Sequence, residues 1–230
     1  MQHTYLVTLP FLMGRYFIEL QYDGTAYHGW QVQQNANSVQ HEMNHALSTI
    51  LQDTIEVTGA GRTDTGVHAK QMFAHFDFDS KIDTSQLLFK LNNLLPFDIS
   101  CTQIKAVDSD AHTRFGASSR TYEYWICTKK SPFQINKAYY YPYDLDLDLM
   151  NEAERILLSN TDFSCFSKSN TDTHTNDCDI TAANWKQEDD LLCFTISANR
   201  FLRNMVRAIV GTLLEVGKGK ISLKELQEII

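Results

Sequence analysis

The stretch that most limits what this chain can fold into runs from residue 54 to residue 79. Residues 54–58 (TIEVT) alternate polar and apolar, and further on Met72, Ala74, Phe76 and Phe78 alternate with Phe73, His75, Asp77 and Asp79. Period two on both sides predicts strand, loop, strand. The loop is GAGRTDTGVH, residues 59–68, with glycines at 59, 61 and 66. Glycine lets a backbone bend sharply or come close to another group. Asp64 follows closely on Arg62, and a neighbouring guanidinium favours the ionised carboxylate. An ionised carboxylate suits a nucleophile better than a proton donor. The same residues would also serve a polar hairpin, with turn glycines, Asp64 bonded to backbone N–H groups and a solvated Arg62.

Length and composition bound the rest. At 230 residues and 43% hydrophobic, the chain is globular, either one large domain or two modest ones. It has no apolar run of membrane-spanning length. Its start lacks a basic segment and a small-residue cleavage site, so no secretory leader is expected and residues 1–12 read as a tail. The five cysteines form no C-x-x-C pair, which predicts reduced thiols in a cytoplasmic protein and no zinc knuckle. A net charge of -8 argues against a protein that coats nucleic acid, while leaving room for a local basic groove.

Residues 15–22 alternate as a strand and run into the turn signal Asp23-Gly24 and then His28-Gly29-Trp30-Gln31. Asn37 and Gln40 form an approximate capping box for a helix whose buried face is Val39, Met43, Ala46, Leu47 and Ile50. That helix also carries His41-Glu42-x-x-His45, the spacing of a zinc peptidase. No convincing third ligand follows it, so a solvated helix face is the competing reading. A second helix, capped by Asp83 or Thr84, buries Leu87, Leu88, Leu91, Leu94 and Leu95 before Pro96, and residues 99–107 read as a strand. The polar stretch 112–119 is the expected boundary between halves 13–116 and 117–230.

In the second half, Arg120, Tyr122, Tyr124 and Ile126 share one face of a strand. An aromatic beside an arginine on an open sheet can stack bases, and ordinary aromatic packing uses the same pattern. Residues 129–143 form a loop with Lys129, Lys130 and Lys137, residues 149–157 a helix, and residues 164–179 a polar loop able to close over a ligand. A strand pair follows at 182–187 and 191–197. The run 199–217 predicts a helix burying Leu202, Met205, Val206, Ile209, Val210, Leu213 and Leu214, with Gly217 as its C-cap. On it Arg200, Arg203 and Arg207 would share a face near the N-terminal end, where the helix dipole favours anions. A phosphate or carboxylate partner would explain them; a solvated basic face is the alternative. Ser222 to Glu225 is a capping box for a last helix.

Taken in order, Tyr22-Asp-Gly-Thr25 with His28-Gly-Trp-Gln31, the run Ala60–Ala69, Arg120-Thr-Tyr122, Asp162-Phe-Ser164 and the run Phe201–Gly217 resemble the tRNA pseudouridine synthase A family. The resemblance implies an α+β fold of two similar halves, a mixed, mostly antiparallel sheet flanked by helices. It implies an isomerase that converts uridine to pseudouridine at positions 38, 39 and 40 of the tRNA anticodon arm, with no cofactor and no metal. It also implies a homodimer with tRNA spanning both subunits; that no membrane association is expected follows from the lack of a membrane-spanning apolar run. On the resemblance, Asp64 is the nucleophile, Tyr122 stacks on the flipped uracil and Arg207 pairs with the catalytic carboxylate. Arg62, Arg120, Arg200, Arg203, Lys129 and Lys130 contact RNA, and His28, Trp30 and His68 lie near the RNA or the loop scaffold. The family's final strand is expected after the last helix and is not found before Ile230, which leaves a non-catalytic RNA-binding protein of the same fold as the alternative.

Overall fold

The structure, a computed structural model, describes residues 14–167 and 175–230. The expected tail 1–12 and the middle of the polar loop 164–179 lie outside the described residues. The chain divides into two compact units, one ending at Ala117 and the other beginning at Ser118.

The first unit holds strands β1 (Gly14–Tyr22), β2 (Thr58–Gly59), β3 (Ala69–Phe78) and β4 (Ile99–Val107) and helices α1 (Val39–Leu51) and α2 (Thr84–Leu94). Its sheet has the order β2-β3-β1-β4 and is antiparallel throughout. Alternation puts Tyr16, Ile18, Leu20 and Tyr22 of β1 and Met72, Ala74 and Phe76 of β3 into one core with Val39, Met43, Ala46 and Leu47 of α1 and Leu87 and Leu91 of α2.

Several local expectations change. The cap of α1 is Ser38, whose side chain accepts from His41 N–H, so Asn37 and Gln40 form no box. In α2, Leu94 is 44% exposed; the helix ends there, and Leu95 takes the buried position instead. Residues 54–57 are not a paired strand: the ladder with β3 starts at Thr58, which stands opposite His75, with Gly59 opposite Ala74. The backbone of that approach limb is bonded by side chains of α1. Asn44 Oδ1 accepts Val57 N–H at 2.9 Å, Gln40 Nε2 donates to the Val57 carbonyl at 2.8 Å, and Ser48 Oγ accepts Ile55 N–H at 2.9 Å. Side chains four apart on a helix face stack above one another, so one helix face substitutes for a neighbouring strand.

The second unit holds β5 (Arg120–Cys127), β6 (Tyr139–Tyr140), α3 (Leu147–Glu152), α4 (Glu154–Ser159), β7 (Ile180–Glu188), β8 (Leu191–Ala198), α5 (Met205–Gly217) and α6 (Leu223–Ile229). Its sheet order is β6-β5-β8-β7, antiparallel except for the short parallel pair β5–β6. The core collects Ile126, Trp185, Phe194, Ile196, Met205, Ile209, Val210 and Leu213. The single helix expected over 149–157 is two short ones meeting at Ala153. The expected C-cap at Gly217 moves: Gly217 is the last residue of α5, where a Cβ would lie 2.5 Å from Met150 Sδ, and the left-handed turn belongs to Gly219. The capping box of Ser222 and Glu225 is present on α6.

The largest change is at the start of α5. Arg200 and Arg203 precede the helix, which begins at Met205. Asn199 is clasped to Asp179, donating from Nδ2 to Oδ2 at 2.7 Å and accepting Asp179 N–H at 2.9 Å. Asn204 then sits in the left-handed region at φ 68°. These hold 199–204 out of the helix, so the shared helical face of three arginines does not exist, and only Arg207 occupies the first turn.

Among the described residues, no helix is long and apolar enough to cross a membrane. All five cysteines are free, four of them buried and Cys165 exposed.

Candidate active site

The loop from Gly59 to His68 is suspended between β2 and β3 and braced by the turn that follows β1. Trp30 N–H donates to the Thr63 carbonyl at 3.2 Å, Gly66 N–H to the Tyr27 carbonyl at 3.2 Å, and Ala60 N–H to the Phe73 carbonyl at 2.7 Å. The Tyr22 hydroxyl meets Thr63 Oγ1 at 2.9 Å. Within the loop, Val67 N–H closes a turn on the Asp64 carbonyl at 3.2 Å. Asp64 is thus carried on a segment whose backbone is fixed on both flanks, and it is exposed, as is Arg62.

Two glycines make this approach possible. Gly29 has φ +93°, and a Cβ there would lie 2.3 Å from the Thr63 carbonyl oxygen. At Gly59 a Cβ would lie 2.6 Å from the Trp30 indole. Trp30 is 1% exposed, packed beneath the loop. Of its two expected places, near the RNA or in the loop scaffold, this is the second, and the RNA-contacting one is not met: a ring buried to that degree supports the loop and has no face to offer a nucleotide. His28 is exposed, its N–H donating to the Asn37 carbonyl at 2.9 Å.

The far end of the loop is tied through His68. Its Nδ1 lies 3.0 Å from Gly24 N–H and 3.0 Å from Asp23 Oδ1. One nitrogen cannot accept and donate at once. The neutral ring with its proton on Nε2 accepts from Gly24; a ring protonated on Nδ1 donates to Asp23. Either state holds the loop to the Asp23-Gly24 turn.

In the second unit, β5 and the 199–204 turn bring Arg120, Tyr122 and Phe201 together. Arg120 Nη1 donates to the Asn199 carbonyl at 2.8 Å. The Tyr122 ring meets Phe201 edge-on, with centroids 5.0 Å apart, and is half-buried. Tyr124, on the same strand face, has its phenol pKa raised by burial and by Tyr139, with Arg207 acting against that. Arg207 is therefore within electrostatic range of this aromatic face. Arg203 is exposed and Arg200 half-buried. Lys129 forms an exposed ion pair with Asp190 at 2.8 Å, a contact not visible in the sequence, and Lys130 is exposed.

His41 and His45 are exposed on α1 with Glu42 half-buried. Among the described residues, no group of three or more His, Cys, Asp or Glu is arranged to hold a metal ion. The supports that sequence reading missed are Gln40, Asn44, Ser48 and Thr113, whose Oγ1 donates to the Thr58 carbonyl at 3.1 Å. Three of them are four apart on α1, a spacing visible in the sequence; what they face is not.

A family model described as tRNA pseudouridine synthase matches residues 20–116 and 155–230. The protein named tRNA pseudouridine synthase A of Bacteroides thetaiotaomicron is 53% identical over 221 residues, covering 95% of this chain and 82% of that protein. The protein of that name from Bacteroides fragilis is 53% identical over 94% of this chain and 86% of its own length. The one from Listeria monocytogenes serovar 1/2a is 38% identical over 94% and 89%. With most of both units matched, the chain belongs to the tRNA pseudouridine synthase family.

Proposed function

We propose that this protein isomerises uridine to pseudouridine at positions 38, 39 and 40 of the tRNA anticodon arm, with Asp64 as nucleophile. The reaction adds nothing to the nucleotide. The bond from ribose C1′ to N1 breaks, a bond from C1′ to C5 forms, C5 gives up its proton and N1 gains one. A carboxylate that attacks either the ribose or the ring serves this chemistry without cofactor or metal. The target base must leave its stack to be reached. The observation that carries the reading is an exposed carboxylate on a loop fixed by hydrogen bonds on both flanks. Fixing the nucleophile in advance is what speeds such a step.

Tyr122 is the base platform and Arg207 the guanidinium that serves the carboxylate. Arg62, Arg120, Arg200, Arg203, Lys129, Lys130 and His28 contact RNA, with Lys129 exchanging Asp190 for phosphate. The protein acts in the cytoplasm as a homodimer, a state that sedimentation of the free protein reads directly.

The test is pseudouridine mapping on an unmodified tRNA transcript. Asp64→Asn removes the nucleophile and nothing of comparable size, so modification should be lost while tRNA affinity stays within about threefold. Modification at the wild-type rate would overturn the role of Asp64. Binding of tRNA by the wild-type chain without any pseudouridine formed would point instead to a non-catalytic RNA-binding protein of this fold.

A further inference from the structure

Thr113 lies in the connector that leads from β4 to the second unit, yet it is 4% exposed. A hydroxyl so buried needs hydrogen-bond partners. Its Oγ1 donates to the carbonyl of Thr58 at 3.1 Å and lies 2.8 Å from His75 Nδ1. Thr58 is the first residue of β2 and stands opposite His75 in the β2–β3 register. His75 is itself 5% exposed, with the His112 ring edge-on at 4.6 Å and Phe17 tilted against it at 6.0 Å. It is the one residue of the outward row of β3 that is buried, because the connector covers it. Burial, followed by the charges of Arg15 and His112, holds its pKa below the usual histidine range, with Asp77 acting against them. The neutral ring carries one N–H. With the Thr113 hydroxyl proton committed to Thr58, His75 Nδ1 carries the ring proton and donates to Oγ1 at 2.8 Å; the Thr113 N–H, 3.5 Å from the same nitrogen, is the longer contact and the one this tautomer gives up.

The connector is anchored two residues earlier as well. Arg15 grips Asp77 with Nε at 2.7 Å and Nη2 at 2.8 Å, and its Nη1 donates to the Ala111 carbonyl at 2.9 Å. β2 is only two residues long, so few ladder bonds fix it. The Thr113 bond adds to those of Asn44 and Gln40 on Val57 and of Ala60 on Phe73 in setting the strand from which the Asp64 loop hangs.

We propose that Thr113 is a positioning residue for the reaction: its hydroxyl, oriented by His75, fixes the Thr58 carbonyl and with it the approach to Asp64. The inference rests on the reading of the Gly59–His68 loop as catalytic. It is tested with full-length Thr113→Val, which keeps the shape and removes the hydroxyl, and Thr113→Ser, which keeps the hydroxyl. Two readouts are needed: amide hydrogen exchange over residues 59–67, and kcat and KM on an unmodified tRNA transcript. In Thr113→Val, exchange in the loop rises about tenfold with α2 unchanged, and kcat falls about tenfold or more while KM stays within about twofold. Thr113→Ser restores both. Unchanged loop exchange in Thr113→Val overturns the proposal, as does faster exchange throughout the first unit, which would make Thr113 a general stabiliser. A Thr113→Ser variant as impaired as Thr113→Val also overturns it. Should Asp64→Asn retain activity, the reading of the loop fails, and the exchange comparison decides the pinning by itself.

Discussion

At Gly29 a single missing side chain decides whether the loop can approach its brace. Its φ of +93° is one that L side chains rarely adopt, and the Thr63 carbonyl fills the space a Cβ would need. Gly29→Ala therefore combines backbone strain with a clash against backbone that has no freedom to rotate away. The expected loss is roughly 2–4 kcal/mol, read as a lowered thermal midpoint; a midpoint equal to wild type would show that the loop yields at no cost. The neighbour of Gly29, Trp30, leaves two places open, near RNA or in the loop scaffold, because a tryptophan in a polar stretch looks the same in sequence whether it faces solvent or a core. What buries it is the bare backbone of Gly59, a residue distant in sequence.

Among the elements, α1 shows how one helix can carry two kinds of information. Its apolar stripe predicts the helix and its buried face, and the structure agrees. Its row Gln40, Asn44 and Ser48 has no assigned partner in the sequence, and it bonds the backbone of residues 55–57. Asn44→Ala leaves the buried Val57 N–H without a partner, a cost of about 1–3 kcal/mol. Urea denaturation checks this, with a shifted midpoint at an unchanged slope; no shift would mean that Val57 finds another acceptor. The start of α5 carries the opposite lesson. Apolar spacing from Leu202 to Leu214 fits a helix without a break, yet the Asn199–Asp179 clasp and the left-handed Asn204 delay it to Met205. Periodicity places the buried positions and is blind to a side-chain clasp that competes for the backbone.

Across the whole molecule, a net charge of -8 meets a polyanionic substrate, so tRNA binding depends on where the few cations stand. Arg203 is exposed in the turn before α5, free of the helical register the sequence assigned it. If it neutralises a phosphate, Arg203→Ala weakens tRNA binding and reduces the slope of log affinity against log salt by about one. An unchanged slope would remove Arg203 from the RNA surface. The sequence by itself placed most of the strands and helices, because burial periodicity is local and strong; it did not show β6, the break at Ala153, the unpaired limb 54–57 or the late start of α5. It also marked the Gly59–His68 loop with Asp64, because three glycines and an adjacent charge pair are a local pattern. Only the tertiary structure decided what holds that loop. Its supports come from Trp30, from one face of α1, from His68 on the Asp23-Gly24 turn and from Thr113 with His75. Each is a hydrogen bond or close packing between residues far apart in the chain, and such pairings depend on the distances folding creates.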